Sequence, residues 1–345
     1  MRILYTGPLS PGETCEMRRA CLERLGHETT PVDYLPLVAR EPVLARKVQW
    51  RLRAGPMVER YNRLLVERLA GRPDLVWVDK GLFVHPETLE RARAAGARVV
   101  HYSPDDYALA QNVSRHFWES LPLYDVVVTT KARNVAPLQA RGARRVLLSG
   151  KCYAPEVHRP PPPGDPARAQ FACDVSFIGR WEPEREAWLA RVAALGVRLV
   201  VRGPRWNRVR SAALRGAVDP SPVWGADYAR AIGAAKINLG LLSRLAGDLI
   251  TARSIEIPAC GGFLLAERTA EHQAHFAEGT EAAYFDGCEE LLGRIAHYLS
   301  HEDERVRIAA AGRARCLASG YSYDDRLAAI LGALEAPFVC QETSR

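Results

Sequence analysis

Four consecutive prolines, Pro160 to Pro163, interrupt a chain that otherwise alternates short apolar runs with amphipathic stretches. Proline fixes φ and has no backbone N–H, so such a run enters neither a helix interior nor a central strand. The segment YAPEVHRPPPPGDPARAQ (153–170) therefore reads as a semi-rigid linker. Before it, the strand-like runs are RILYTG (2–7), ETTPVDY (28–34), DLVWVDKG (74–81), ARVVHYS (97–103), DVVVTT (125–130) and RVLLSG (145–150). Helical patterns such as CEMRRACLERLG (15–26) and PETLERARAAG (86–96) lie between them, the second ending at a C-capping Gly96. After it, the alternation restarts with CDVSFIG (173–179), PEREAWLARVAALG (183–196), VRLVVRG (197–203), DYARAIGAA (227–235), KINLGLL (236–242) and GGFLLAE (261–267). Three helical stretches follow, at 288–300, 303–318 and 323–336. Continuous apolar strands alternating with amphipathic helices specify parallel sheets covered on both faces. The expected fold class is α/β: two Rossmann-like doubly wound domains facing a cleft, with ligands beyond the carboxyl ends of the strands. The expected divisions are a first domain at 1–155, a proline-rich linker at 156–170, a second domain at 171–322 and a C-terminal helix in 323–345.

A chain of 345 residues suits two such domains, and 48% hydrophobic with 25% charged residues suits ordered ones. No run of eighteen apolar residues offers a membrane-spanning helix. MRILYTG reads as a first strand and not as a secretory signal, so a cytoplasmic location is expected. The eight cysteines, at 15, 21, 152, 173, 260, 288, 316 and 340, form no CxxC pair and no zinc spacing, and read as free thiols. The net charge of +7 admits nucleic acid, an anionic membrane surface or phosphorylated ligands, or simply arginine as general surface charge. No zinc finger, RNP motif or Lys-rich tail is present, so nucleic acid is not an expected partner. The basic segment REPVLARKVQWRLRAGPMVERYNRLLVER (40–68) places Trp50, Leu52 and Met57 either on a lipid surface or in the core.

Common catalytic signatures are missing. GPLSPG (7–12) lacks the GK[ST] of a Walker loop, SGK (149–151) lacks its upstream glycine, and neither GxGxxG nor GxSxG occurs. His272 and His275 are three apart without a third ligand, which reads as an exposed helix face; no metal is expected. Four places remain. In SRLAGDLITARSIEIPACGGFLLAE (243–267), Asp248 and Glu256 are eight apart, and Thr251 is placed to cap a helix starting near 252. That helix N-terminus with Arg253 suits a phosphate, and Glu256 suits a pair of hydroxyls such as a ribose diol. Gly261 and Gly262 would let backbone approach a ligand. The other reading is an internal Arg253–Glu256 pair at i, i+3. In FIGRWEPERE (177–186), Gly179 is followed by Arg180 and Arg185, which either clamp a diphosphate or pair with Glu182, Glu184 and Glu186. In HYSPDD (101–106), His101, Asp105 and Asp106 follow a strand and either include a general base or serve as turn residues. Asp79 and Lys80 end the preceding strand in the same way. Finally, the loop TGPLSPGET (6–14), opening at Gly7, is placed to hold an acceptor or is a plain tight turn.

These residues carry a resemblance. DVSFIGRWEPERE, VRGPRWN, TARSIEIPACGGFLLAE and GYSYDDRLAAIL (320–331) resemble the GT-B glycosyltransferases grouped as glycosyl transferases group 1, especially their spore-maturation-protein-like branch. MRILYTG, LVWVDKG and VVHYSPDD resemble the family's acceptor domain more loosely. The resemblance implies an acceptor-binding first domain, a nucleotide-sugar-binding second domain and a last helix crossing back to the first. It implies that Asp248 and Glu256 grip the donor, with Asp where the family has Glu, and that Glu256 meets the ribose. Arg180 and Arg185 would bind the diphosphate, and backbone near Val223 and Trp224 the base. The implied activity is metal-independent transfer of a sugar from a nucleotide diphosphate sugar to a small-molecule, glycan or peptide acceptor. No cofactor beyond that co-substrate is implied. In an inverting reaction the base would be Asp105, Asp106 or His101. A nucleotide-sugar epimerase of the same fold and a non-catalytic nucleotide-sugar-binding protein are the alternatives.

Overall fold

Val, Ile and aromatic residues concentrate in runs too short to be helices and too apolar for a sheet edge, and the computed structural model of the chain pairs them in parallel. It describes residues 1–335, which fall into two units, one of residues 1–150 together with the chain from Asp324 onward, the other Lys151–Tyr323. The first unit runs β1 (Arg2–Gly7), α1 (Thr14–Arg24), β2 (Glu28–Asp33), α2 (Leu35–Ala39), α3 (Val43–Leu52), α4 (Pro56–Arg68), β3 (Leu75–Asp79), α5 (Pro86–Ala94), β4 (Arg98–Ser103), α6 (Arg115–Ser120), β5 (Val126–Thr129), α7 (Val135–Ala140) and β6 (Val146–Leu148). Its parallel sheet has the order β2-β1-β3-β4-β5-β6. All five residues of β3 are buried, as a strand covered on both faces requires. Leu4, Val76, Val78 and Val99 join the cluster under α4, α5 and α6. On alternate positions, the rings of Tyr5, Trp77 and Tyr102 stack across β1, β3 and β4 at 6.2 and 6.0 Å.

The second unit runs β7 (Cys173–Ile178), α8 (Pro183–Ala193), β8 (Leu199–Arg202), α9 (Ala212–Arg215), α10 (Gly225–Ala234), β9 (Ala235–Gly240), α11 (Arg253–Ala259), β10 (Leu264–Glu267), α12 (Ala270–His275), β11 (Ala283–Phe285), α13 (Gly287–Ser300) and α14 (Glu302–Ala318). Its parallel sheet has the order β11-β10-β9-β7-β8. The strand order therefore reverses beside β1 in the first unit, between β1 and β3, and beside β7 in the second, between β7 and β9. Such switch points leave a crevice at the carboxyl ends of the strands.

The proline-rich segment differs from the expectation of a linker at 156–170, because the chain enters the second unit at Lys151 and the segment packs along that unit. Pro161 lies against Gly233 and Pro160 against Gly261, where the lack of side chains admits the rings. Arg230 Nε holds Asp165 at 2.7 Å, and Phe171 is buried at the end of a short 3-10 turn. Proline has no N–H for a ladder, but its ring still packs. The last helix, α15 (Tyr323–Glu335), belongs to the first unit from Asp324 on. Asp324 accepts from Arg24 at 2.6 Å, Arg98 donates to the Leu334 carbonyl at 2.7 Å, and Arg145 donates to that of Ala333. The remainder of the expected C-terminal segment, 336–345 with Cys340, lies outside the described residues. Among the described residues all seven cysteines are free thiols, and no helix is long and apolar enough to cross a membrane.

Two histidines are enclosed, one of them His272, which is buried at the start of α12 and not on the exposed helix face expected for it, because Ser254 and the Glu267 carbonyl hold its ring. His101 sits among Tyr107, Phe117 and Tyr124, and burial lowers its pKa to about 4. His272 accepts from Ser254 Oγ at Nε2 (2.7 Å) and donates from Nδ1 to the Glu267 carbonyl (2.7 Å); burial again lowers its pKa to about 4. Unfolded, each binds its proton near the ordinary 6.5. The unfolded state thus holds more protons between pH 6.5 and 4, so stability is full above that window and falls as pH drops through it. We expect the urea midpoint to fall from pH 7 to pH 4.5, and to fall less steeply in His101→Phe; equal slopes would show that His101 is not held neutral.

Candidate active site

At the switch point of the second unit, β7 ends in Ile178, and Gly179 follows. A Cβ there would lie 2.6 Å from the Phe177 ring, so only glycine fits. The Gly179 N–H donates to Arg202 (2.8 Å), its carbonyl accepts from Trp206 Nε1 (2.7 Å), and the Trp181 N–H donates to Pro204 (2.9 Å). The loops after β7 and β8 are therefore laced together. The Arg180 side chain projects from this lacing, exposed, and its guanidinium has no hydrogen bond or ion pair to any described residue; burial of part of the side chain and then Arg205 nearby lower its pKa.

Arg185 does something else. It is buried, and its guanidinium donates to the carbonyls of Leu242 (3.1 Å), Arg180 (3.0 Å) and Leu241 (2.9 Å) and pairs with Glu182 at 3.1 Å. Burial, then the charge of Arg253, pushes its pKa down to about 10. With its donors on four acceptors, Arg185 ties the loop after β7 to the loop after β9, and the expected diphosphate clamp reduces to Arg180. Glu182 completes the tie by accepting from Ser243 Oγ (2.7 Å) and the Arg244 N–H (3.1 Å). Glu267 accepts from the Leu242 N–H (2.6 Å) and pairs with Arg244. Asp248 lies half-buried in the loop so fixed.

The internal Arg253–Glu256 pair does not form. Glu256 is nearly buried, and its Oε2 accepts from the Tyr228 hydroxyl at 2.8 Å. Its Oε1 has His158 Nε2 at 3.8 Å, beyond hydrogen-bond reach. His158 Nδ1 accepts the Ala154 N–H (2.8 Å), so the ring's proton sits on Nε2, facing the carboxylate; burial keeps the ring's pKa below its ordinary value. The Arg253 side chain, half-buried, makes no hydrogen bond or ion pair with any described residue. Thr251 is not the helix cap: Ala252 takes that position, and Thr251 instead faces Ser254 Oγ at 3.3 Å. The two glycines are structural. Gly261, at φ +76°, and Gly262 donate to Pro258 (2.8 Å) and Ile257 (3.0 Å), a Schellman ending that requires glycine at the first position. A Cβ at Gly262 would meet Ile232 at 2.6 Å, so the close approach there is to the protein itself. Trp224 is exposed beside the buried Val223, at the start of α10. Tyr228 and His158 escape the sequence reading, because nothing local ties them to a carboxylate far along the chain.

At the switch point of the first unit, Gly7 and Asp79 end β1 and β3, and a Cβ on Gly7 would lie 2.8 Å from Asp79 Cβ. Asp79 is fully buried; it accepts from Arg18 Nε and Nη2, both at 2.8 Å, and from the Tyr5 hydroxyl at 2.6 Å. Gly7 and Asp79 thus brace the strand ends and do not meet an acceptor. His101, buried behind them, faces the Lys80 carbonyl at 3.3 Å and is not an accessible base. Asp106, also buried, accepts the Ala108 N–H (3.0 Å) and pairs with Arg133 (2.9 Å), as a turn residue does. Asp105 differs. It is half-buried, and its carboxylate has no hydrogen bond or ion pair among the described residues. Lys80 is half-buried, at φ +66°, and its ammonium has no hydrogen bond or ion pair there either. Burial lowers its pKa, but the negative charges of Asp105 and then Asp79 outweigh this and hold it above its ordinary value. Among the described residues no three His, Cys, Asp or Glu side chains cluster as metal ligands.

Residues 184–332 match the family described as glycosyl transferase-like. No curated protein matches the chain. Among solved structures, sucrose-phosphate synthase from Thermosynechococcus elongatus aligns with a TM-score of 0.66 at 13% identity, over 97% of this chain and 98% of that one. Anabaena Alr3699/HepE in complex with UDP-glucose aligns with a TM-score of 0.66 at 15% identity, over 96% and 100%. A UDP-N-acetylglucosamine 2-epimerase, so described, from Listeria monocytogenes aligns with a TM-score of 0.61 at 13% identity, over 97% and 95%. At such identities the likeness is one of fold, two parallel-sheet α/β domains of the GT-B class.

The two adjacent aspartates are separable by stability. Asp106→Ala removes a buried, bonded carboxylate and is expected to lower unfolding free energy by about 1–3 kcal/mol, whereas Asp105→Ala changes it by less than about 0.5 kcal/mol. Urea denaturation measures both; equal losses would contradict the division.

Proposed function

We propose that this protein is a glycosyltransferase that takes a nucleotide diphosphate sugar as donor, and, on the 251–267 pattern, a member of the spore-maturation-protein-like branch. The observation that carries the reading is the trio Glu256, Arg253 and Arg180, one oriented carboxylate and two cations without protein partners in a unit that matches the glycosyl transferase-like family. Tyr228 holds one oxygen of Glu256 and leaves the other for the ribose diol. Arg253 and Arg180 take the diphosphate, whose negative charge grows as the bond from the anomeric carbon to the phosphate oxygen breaks. Asp248 is assigned to the sugar, and Val223 with Trp224 to the base. The solved neighbours include proteins bound to UDP-glucose and to UDP-2-fluoro glucose, which supports a uridine nucleotide as the first donor to test.

In the first unit, Asp105 and Lys80 are assigned to the acceptor. If configuration inverts, Asp105 takes the proton of the attacking hydroxyl, since Asp106 and His101 are engaged elsewhere. The acceptor is a small molecule, glycan or peptide. The charge on the leaving diphosphate is met by arginines, so turnover is proposed to need no metal.

The test is calorimetric titration with UDP, GDP, dTDP, ADP and CDP. One nucleotide should bind, and Glu256→Gln should weaken it by about 1.5–3 kcal/mol, roughly ten- to a hundredfold. No binding by any of them would sink the reading. A changed sugar released without acceptor would replace it with epimerisation.

A further inference from the structure

Helix α3 is held to the first unit by one side only. Gln49, buried, accepts the Met57 N–H (2.7 Å) and donates to Glu41 (2.7 Å). Arg53 ends the helix at φ +56° and donates to the Gln111 carbonyl (2.7 Å). The Trp50 ring packs on Phe83, centroids 5.1 Å apart, and keeps its outer edge open. Of the two places open to Met57, a lipid surface or the core, it takes the core.

The opposite face has no such anchors. At about 100° per residue, Val43, Lys47, Arg51, Leu44, Val48 and Leu52 share one half of the helix. Leu44 is 75% exposed, Leu52 66%, Val43 58% and Val48 47%, and Lys47 and Arg51 are exposed between them. Apolar residues in that number on a single ten-residue helix mark an interaction surface. The charge decides what kind. From Pro42 to Val58 there is no Asp or Glu, while Arg46, Lys47, Arg51 and Arg53 are all basic. Glu41, just before the helix, is paired with Arg60.

We propose that the outer face of α3 docks on an anionic lipid surface, with Leu44, Val48 and Leu52 among the acyl chains and Lys47 and Arg51 at the headgroups. Each contributes what an interfacial helix needs: buried apolar area, and cations at the level of the phosphates. An acidic protein would meet the cations without taking up four exposed aliphatic side chains. A second copy would set Lys47 and Arg51 against their equals.

Cosedimentation of the full chain with phosphatidylcholine vesicles containing about one third phosphatidylglycerol tests this. Binding is expected at low salt, at least about tenfold weaker to pure phosphatidylcholine, and weaker in high salt. Leu44→Asp with Leu52→Asp, and separately Lys47→Glu with Arg51→Glu, should each weaken it at least about tenfold. All four positions are exposed, so thermal melting should stay unchanged in both variants. Absence of binding to anionic vesicles overturns the proposal, as does full binding by either variant. A dimer on size exclusion that Leu44→Asp with Leu52→Asp abolishes, without vesicle binding, assigns the face to a second copy instead.

Discussion

The candidate donor site depends on one buried guanidinium. Arg185 joins the loop after β7 to the loop after β9 by donating to three backbone carbonyls, with Glu182 as its counter-charge. A cation removed from water is tolerated only where its donors and its charge are matched, and here they are. The matched group fixes the floor of the crevice at the switch point. Arg180 lies in one of the loops so tied and Asp248 in the other, which leads into α11.

The same division of labour recurs in the first unit. Asp79 is bound by Arg18 and Tyr5 and sets the ends of β1 and β3, while its neighbour Lys80 carries an unpartnered charge. Asp106 is bound by Arg133 and its own turn, while its neighbour Asp105 is unpartnered among the described residues. In each place a charged residue fully bonded to protein stands near one that is not. Bonded groups hold geometry; the others keep their hydrogen-bonding capacity for something from solution. Lys80 adds a left-handed backbone, a strained conformation that the enclosed His101 and the glycine after it help to hold.

Glu256 shows why burial alone does not make a carboxylate structural. It is nearly enclosed, yet one oxygen is oriented by Tyr228 and the other lacks a hydrogen bond. The proline-rich segment brings His158 to it, with the imidazole proton fixed on the facing nitrogen by a backbone donor. A segment that reads as a spacer therefore packs beside the carboxylate of the candidate site.

Much was legible along the chain. Strand and helix alternate as their periodicity predicts, since parallel strands buried on both faces must be continuously apolar, and the repeat of that pattern gives two α/β units. β11 escapes the sequence reading, its three residues following a turn and running straight into α13. The strand ends followed by glycine and charge were also readable, and so was the presence there of Glu256, Arg180 and Asp105. The sequence could not say which charge in each place is bonded. Arg185 and Arg180 look alike in FIGRWEPERE, and Asp105 and Asp106 look alike in SPDD. Their partners, Leu241, Leu242 and Arg133, come from other elements. Composition and local pattern determine which segments fold into a sheet and where its ends carry charge. Only the tertiary structure decides which of those charges meets a partner, because hydrogen-bond pairing depends on distances of a few ångströms between residues far apart in the chain.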